Sequence, residues 1–374
     1  MEVKNSILPD NIDSNLKNKI IITFQSLIII SLLLLIYILM LFYTNKTRTK
    51  LINNNQKEYY IPLPSWNDCP AKSILIEYIN NISTIPKESR IAVFDLDGTL
   101  FQETDPVYND WKLYQYRILN DSNYTATEEQ KKIAYKLTKA IKNHEMPDDL
   151  NVEISYSAAE VFKNMSLKEY DKYLKDFLKK PADGYNNLLR ENAFFIPMLE
   201  IIELLQKNDF DIFIVSATDR YQVRTVIDGH INIPRSNIIG SDYDISSINQ
   251  GDKKGYNYGY NINEKLILKG DLITMNIKFN KIKGIITHIG RKPVLIFGNS
   301  EGDSSMANFI VSNNEYKSLA FMVLNDDLER ERGNIEEAEK MKDLCHKNNW
   351  IPISMKNDWK TIYGENVTKN NLTY

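Results

Sequence analysis

The amino-acid sequence predicts an α/β protein: a Rossmann-like parallel sheet with helices on both faces, a helical cap inserted after the first strand, and a single N-terminal transmembrane helix. Short apolar runs that alternate with amphipathic helices are typical of βαβ units. Residues 101–195 show helical periodicity without a convincing parallel strand. Residues 20–43 are apolar and contain no charged side chain.

The composition is that of a globular protein. The chain has 374 residues, of which 43% are hydrophobic and 25% charged, so it can form two domains or one domain with a large insertion. A net charge of −3 provides no basic field, and we expect no nucleic-acid partner. Cys69 and Cys345 cannot form a disulfide framework, and the scattered histidines argue against zinc chemistry.

Residues 20–43 are predicted to form a single-pass membrane anchor. As a helix they would be roughly 36 Å long, enough to cross a hydrocarbon core of about 30 Å. A cleaved signal peptide would have a shorter apolar region, and no small-residue cleavage site follows. Residues 1–19 would form a tail, and residues 44–70, which are polar and end in prolines, a linker.

The side of the membrane on which the C-terminal part lies stays open. The positive charges that flank the anchor are nearly balanced and favour a cytosolic C-terminal part only weakly. Several Asn-X-Ser/Thr sequons favour the opposite orientation, although a chain so rich in asparagine collects such sites by chance.

After the linker, the sequence predicts a core of residues 71–100 and 196–374, interrupted by the helical cap of residues 101–195. Residues 238–271, rich in glycine, tyrosine and aspartate, indicate a β-hairpin or an irregular excursion. Buried strands are predicted by four apolar runs, at residues 91–94, 211–215, 293–297 and 318–324.

Polar clusters follow three of these strands at the point where each strand ends. Asp95 and Asp97 follow the first strand, residues 216–219 the second and residues 298–303 the third. Ligands of open parallel sheets bind outside the carboxyl ends of the strands, so the three clusters converge on one site if the strands are neighbours. Asp-Gly between apolar runs is also typical of a β-hairpin, but the downstream clusters favour the site.

The spacing of Asp95 and Asp97 has a chemical consequence. At ~4 Å and an effective dielectric constant of about 20, two carboxylates repel each other by roughly 4 kcal/mol. Such a pair shares a proton or holds a cation. Glu103 and Asp105 follow closely enough to face whatever binds there, although a solvated loop is the default interpretation for them.

These motifs resemble those of the haloacid dehalogenase-like hydrolases, and they occur in the same order. Residues 95–99 match the first motif, Asp-x-Asp-Gly-Thr, without departure, and Ser216 matches the second. Residues 298–303 match the fourth motif with one departure, because Asn299 stands where many members have an acid. The helical insertion after the first motif is similar to the cap of the phosphoserine and phosphocholine phosphatase-like branch.

The third motif of this family is a lysine at the start of the helix that precedes the last motif. Lys278, Lys281 and Lys283 are candidates, and the helix register favours Lys281. This resemblance implies a catalytic core and a cap, in addition to the tether expected from the N-terminal segment.

The resemblance implies a Mg²⁺-dependent phosphatase that acts on a small phosphorylated metabolite. Asp95 would attack phosphorus and form an aspartyl-phosphate, and Asp97 would act as general acid and base. Asp95, the main-chain carbonyl of Asp97, Asp303 and, directly or through water, Asn299 would hold Mg²⁺. The other implied site residues are two that bind or neutralise the phosphoryl group, Ser216 and Lys281, and two that bind substrate, Thr218 and Glu103.

Two alternative functions stay open from the sequence. A phosphotransferase would use the same intermediate with an acceptor other than water, and product analysis with added alcohols separates the two. A catalytically inactive, membrane-tethered binding module is the second alternative, and a failure to bind Mg²⁺ would favour it. The sequence decides neither the substrate, the oligomeric state nor the glycosylation of the sequons.

Overall fold

The computed structural model describes residues 14–55, 62–103, 108–143, 147 and 149–370. Residues 1–13 of the predicted tail and Asp105 lie outside these ranges. The chain divides into two compact units, Met1–Ile61 and Pro62–Tyr374.

The first unit contains one long helix, α1 (Ser14–Asn55). Within the described residues, its stretch Asn18–Leu41 is the one segment that is long and apolar enough to cross a membrane, with a mean hydropathy of 2.6. The predicted anchor, residues 20–43, overlaps this stretch over residues 20–41. The helix qualifies as a membrane span by its length and composition only.

The structure differs from the predicted linker, residues 44–70, at both ends. Helix α1 continues to Asn55, and residues 56–61 lie outside the described part of the chain. From Pro62 onward the chain belongs to the second unit, where Leu63 and Trp66 are each only 1% exposed. The indole of Trp66 packs edge-on against that of Trp359 at 6.1 Å, so these residues are held by apolar burial and the core begins before residue 71.

The second unit is an α/β fold, as predicted. Its strands are β1 (Ile91–Phe94), β2 (Tyr185–Asn186), β3 (Asp211–Asp219), β4 (Ile238–Ser247), β5 (Leu266–Thr274), β6 (Leu295–Gly298), β7 (Leu319–Leu324), β8 (Ile351–Ser354) and β9 (Thr368–Lys369). Seven of them form one sheet in the order β5-β4-β3-β1-β6-β7-β8, in which only the β4–β5 pair is antiparallel. β2 and β9 form a small antiparallel sheet.

Helices cover both faces of the large sheet, as predicted. The helices of the second unit are α2 (Pro70–Asn80), α3 (Asn109–Leu119), α4 (Glu128–Asn143), α5 (Leu150–Val161), α6 (Leu167–Leu178), α7 (Ile196–Lys207), α8 (Arg220–Val226), α9 (Phe279–Ile289), α10 (Ser304–Val311), α11 (Ile335–Asn348) and α12 (Met355–Asp358). α2, α7 and α8 pack on one face, and α9, α10 and α11 on the other. In β1, Ala92 and Phe94 contribute to the cluster with α2, α7 and α8, while Val93 contributes to the cluster with α9, α10 and α11. A strand buried on both faces reads as a continuous apolar run.

The cap consists of α3, α4, α5 and α6, and it has an apolar core of its own. Residues 238–271, predicted as a hairpin or an excursion, form most of the β4–β5 pair, and β5 packs on the cap. Leu268 of β5 is fully buried in the cap cluster. Its main chain exchanges two hydrogen bonds with the loop between α5 and α6, at Asn164 and Met165, so the sheet edge is fastened to the cap.

We expect Leu268→Ala to lower the free energy of unfolding by about 2–5 kcal/mol, because the substitution leaves a cavity between the hairpin and the cap. Denaturant titration of the full chain in detergent measures the loss. Leu266→Ala, on the same strand but 42% exposed, is the matched control and should change the stability by less than about 0.5 kcal/mol. Equal effects of the two substitutions would contradict this packing.

Candidate active site

The three predicted polar clusters meet at one edge of the sheet. β1 lies between β3 and β6 and is parallel to both, so the carboxyl ends of the three strands are adjacent. The main-chain N–H of Asp95 donates to the carbonyl of Phe297 at 2.9 Å, which fixes the end of β1 against β6. A cavity of about 540 Å³ opens at this edge, between the strand ends and the cap.

Lys281, in the first turn of α9, connects two of the clusters. Its ammonium donates to Asp95 Oδ1 at 2.8 Å and to Asp303 Oδ1 at 2.6 Å, and the residue is only 3% exposed. Of the three candidate lysines, this is the one whose ammonium contacts the carboxylates of the first and fourth motifs. Lys278 also lines the cavity but is exposed.

Burial and the neighbouring charges both shift the pKa values of Asp95 and Lys281. Burial raises the pKa of Asp95 to about 7, the charge of Asp303 acts in the same direction, and the Lys281 ammonium opposes both. For Lys281, burial lowers the pKa, but the two carboxylates outweigh it and the pKa lies above its ordinary value. The lysine therefore stays cationic beside Asp95.

Asp97 lies on the turn that follows β1, where Gly98 adopts a positive φ of 76°. Thr218, near the end of β3, donates its hydroxyl proton to Asp97 Oδ2 at 2.9 Å. Burial raises the pKa of Asp97 to about 7, the charge of Asp110 acts in the same direction, and the Thr218 hydrogen bond opposes them. This carboxyl group can hold or release a proton near neutral pH.

Ser216 is more deeply buried than Thr218 in the last part of β3, which runs to Asp219 and so extends beyond the apolar run 211–215. Its hydroxyl oxygen accepts from the Thr218 N–H at 3.1 Å, and its carbonyl accepts from the Asn276 side chain at 2.8 Å. Ser216 is fully buried and does not line the cavity, whereas Ala217 and Thr218 do. The role predicted for Ser216 stays a prediction, and in the structure its hydroxyl oxygen holds the main chain of Thr218 in place.

Asp303 orients the loop of the fourth motif. Its Oδ2 atom accepts from the main-chain N–H groups of Asn299 and Ser300 at 3.1 and 3.2 Å, while Oδ1 accepts from Lys281. The residue is fully buried and does not line the cavity. Its predicted role as a direct metal ligand stays a prediction, and the structure gives it a second role in fixing Asn299.

Asn299 contacts the segment that follows the first motif. Its Nδ2 donates to Glu103 Oε2 at 2.8 Å, and its Oδ1 accepts from the Thr99 hydroxyl at 3.2 Å. Asn299 and Glu103 both line the cavity. Burial raises the pKa of Glu103 to about 8, an effect that a hydrogen bond with Tyr108 opposes.

The cap contributes cavity residues that sequence reasoning did not assign to the site. Tyr108 and Trp111 form an edge-to-face aromatic pair at 4.9 Å, and Asp110 lies between them in sequence. Trp111 belongs to the apolar core of the cap and lines the cavity as well. Burial raises the pKa of Asp110 to about 7. In the sequence, an acidic residue between two aromatic residues at the start of a helix is the pattern that would have indicated these cavity residues.

The donor set fits Mg²⁺ in its chemistry. Within the described ranges, no three His, Cys, Asp or Glu side chains are grouped closely enough to hold a metal ion. Asp95, Asp97 and Asn299 nonetheless present oxygen donors to one cavity, and Mg²⁺ prefers few protein oxygens and keeps several waters. Asp303 lies behind them as a further carboxylate.

No family model and no curated protein matches the chain. Several solved structures are similar to the chain in fold. A conserved protein of unknown function from Anaerococcus prevotii is 14% identical, with 76% of this chain and 91% of that chain covered and a TM-score of 0.46. Cytosolic 5'-nucleotidase IIIB bound to cytidine is 14% identical, with 77% of this chain and 86% of that chain covered and a TM-score of 0.48. A substrate-bound phosphoserine phosphatase is 13% identical, with 63% of this chain and 86% of that chain covered and a TM-score of 0.34.

The fold has the arrangement that the resemblance to the haloacid dehalogenase-like hydrolases implied. The two aspartates of the first motif follow the central strand β1, the second motif lies in the last part of its neighbour β3, the fourth begins at the end of its other neighbour β6, and the helical cap is inserted after β1. The similarity of these solved structures concerns the fold and leaves the substrate of this chain open.

We expect Lys281→Met to lower the free energy of unfolding by about 3–5 kcal/mol at pH 8, because it leaves the buried carboxylates of Asp95 and Asp303 facing each other without a cation. Protonation of Asp95 relieves this repulsion, and the variant also lacks the ammonium that lowers the pKa of Asp95, so the loss should be smaller at pH 6 than at pH 8. Urea titrations at pH 8 and pH 6 in the presence of a chelator measure both values. Lys278→Met is the control, and equal losses in the two variants would contradict the bridge.

Proposed function

We propose that the protein is a Mg²⁺-dependent phosphatase that hydrolyses a small phosphomonoester through an aspartyl-phosphate at Asp95. The observation that carries the proposal is the placement of Asp95 and Asp97 at the carboxyl end of the central strand, facing one cavity, with the Lys281 ammonium 2.8 Å from Asp95. A nucleophile, a proton donor and a fixed positive charge are the groups that phosphoryl transfer requires.

In the first step, a carboxylate oxygen of Asp95 forms a bond to phosphorus while the bond from phosphorus to the ester oxygen breaks. Asp97 donates its proton to that leaving oxygen. In the second step, Asp97 takes a proton from a water molecule whose oxygen attacks phosphorus, which releases inorganic phosphate and restores Asp95. A pKa of about 7 for Asp97 suits both directions of proton transfer.

Three further groups would hold the transferred phosphoryl. The Thr218 hydroxyl lies at the cavity wall and keeps Asp97 in place through its 2.9 Å hydrogen bond. The main-chain N–H groups after Ser216, in the last part of β3, would contribute as well; the Thr218 N–H itself donates to the Ser216 hydroxyl oxygen, which holds this part of the strand in place. Lys281 would balance the negative charge that builds up in the transition state.

Mg²⁺, when bound, would neutralise the repulsion between the Asp95 carboxylate and the substrate phosphate. Asp95, the main-chain carbonyl of Asp97 and Asn299 would hold it, with Asp303 as the further predicted ligand. Because Asp303 already accepts hydrogen bonds on both oxygens, it also fixes the main chain at Asn299 and Ser300.

The cap supports a small substrate. Helices α3 and α5 supply Trp111, Asn151 and Ser155 to the wall of a cavity of about 540 Å³, a volume in the range of small-molecule sites. A cap over the site excludes bulk water during turnover and restricts access for a folded protein substrate.

We expect Asp95→Asn to reduce the hydrolysis of para-nitrophenyl phosphate by roughly 10³-fold or more, because the amide cannot act as the nucleophile. The assay uses the full chain in detergent with Mg²⁺. Asp211→Asn is the control: this exposed residue begins β3 at the opposite end of the sheet, and its substitution should leave the rate unchanged. Activity that survives Asp95→Asn would exclude the proposed reaction.

We further propose that α1 anchors the protein in a membrane. In cell fractionation, we expect the full chain to stay in the membrane pellet after alkaline carbonate extraction, because Asn18–Leu41 is long and apolar enough to cross the bilayer. A chain that begins at Pro62, where the second compact unit begins, should appear in the supernatant. Release of the full chain by carbonate would contradict the anchor.

A further inference from the structure

Four apolar side chains line the active-site cavity without a part in the proposed reaction. Met275 and Ile277 lie between β5 and α9, and Met341 and Leu344 lie on α11. None of the four belongs to a motif or to the cap helices. We call these four residues the apolar lining of the cavity.

The first pair of the apolar lining is not used to build the core. Met275 and Ile277 are half-buried, and neither belongs to the three apolar clusters formed by the described residues or packs against them. Ile277 precedes Lys281 by four residues, and the Lys281 ammonium lies 2.8 Å from Asp95 Oδ1. The remaining apolar surface of this pair is therefore left for a ligand held near Asp95.

The second pair comes from one face of α11. Glu337, Met341 and Leu344 follow one another at helical spacing, and all three line the cavity. Met341 is 5% exposed and belongs to the core cluster that contains residues of β6 and β7, whereas Leu344 is half-buried. The catalytic core, and not only the cap, therefore supplies apolar surface to the cavity.

Several polar side chains of the same cavity are already hydrogen-bonded within the protein. Tyr108 is hydrogen-bonded with Glu103, which also accepts from Asn299 at 2.8 Å. The Ser155 hydroxyl donates to the main-chain carbonyl of Asn151 at 2.8 Å. A polar leaving group gains little from such groups, because each new hydrogen bond would replace an existing one.

Other charged residues of the cavity are in contact with solvent or with the main chain. Lys278, Glu301 and Glu337 are exposed, so water solvates their charges. Asp110 is half-buried, and its Oδ1 atom accepts from the main-chain N–H of Trp111 at 2.8 Å. The half-buried surface that has no partner in the protein is thus that of the apolar lining.

We propose that the substrate is the phosphate monoester of an apolar alcohol, whose hydrocarbon part contacts the apolar lining while its phosphate lies at Asp95. This inference rests on the proposed phosphatase function and narrows its substrate. Removing apolar surface from water is favourable in proportion to the area buried. Methionine adapts to irregular shapes, so Met275 and Met341 suit a flexible hydrocarbon chain. An alcohol with several hydroxyl groups would lose water at this surface without gaining partners.

A series of n-alkyl phosphates from ethyl to hexyl phosphate tests the proposal, with the full chain in detergent and Mg²⁺. The alcohols of this series are leaving groups of nearly equal basicity, so chain length changes the contacts of the leaving group and not the bond that breaks. The value of kcat/KM should rise about two- to fourfold with each added methylene group. Propyl phosphate should exceed glycerol 3-phosphate, which has the same three carbons and two hydroxyl groups, by about tenfold.

Ile277→Ser should reduce the rise of kcat/KM per methylene group, because it removes apolar surface from the lining. Ile273→Ser is the matched control: this residue is 61% exposed, does not line the cavity and should keep the rise of the unaltered chain. Partition of the longer esters into detergent micelles affects both variants equally. Leu344→Ser gives the same comparison on α11, and circular dichroism confirms that each variant is folded.

Two results would overturn the proposal while the phosphatase function stands. One is a kcat/KM that stays level from ethyl to hexyl phosphate, or a preference for glycerol 3-phosphate or phosphoserine. The other is a rise per methylene group that is the same in the unaltered chain, Ile277→Ser and Leu344→Ser. If the unaltered chain hydrolyses neither the alkyl phosphates nor para-nitrophenyl phosphate, the proposed function fails as well.

Discussion

The contact of the Lys281 ammonium with Asp95 and Asp303 is the interaction on which the candidate site depends. Two buried carboxylates cannot lie so close together as anions without a cation between them. The Lys281 ammonium offsets the repulsion between the two carboxylates only in part, because one positive charge faces two negative charges. The site therefore keeps a residual negative charge where a divalent cation and a phosphate ester can be bound together, and it keeps the attacking carboxylate fixed in direction.

The topology of the sheet makes this contact possible. Asp95 follows β1, and Asp303 comes after β6, which is parallel to β1 and adjacent to it. Lys281 reaches both from α9, which packs against β3 and β4 on one face of the sheet. The polar groups of three distant segments therefore meet at the carboxyl edge of the sheet. The apolar side chains of the strands are buried in the two core clusters.

The features that the sequence predicted are those encoded locally. Apolar runs with polar ends identified the strands around Asp95, Ser216 and Asn299, and helix register favoured Lys281. The rest depends on packing between distant segments. No local pattern indicates that Leu268 enters the cap core or that Trp111 faces the cavity. The burial of Leu63 and Trp66 contradicts the polar, proline-rich composition that suggested a linker. The contact between Glu103 and Asn299 likewise joins residues far apart in the chain.

The aspartyl-phosphate is the central claim, and mass spectrometry of the Asp97→Asn variant tests it most directly. Para-nitrophenolate leaves without a proton donor, so the first step should proceed, whereas the second step lacks its base and the phosphorylated protein should accumulate. After acid quenching and proteolysis, the account predicts one added phosphoryl group on the peptide that contains Asp95. An unmodified Asp95 peptide under turnover conditions, with phosphate released at an undiminished rate, would contradict it.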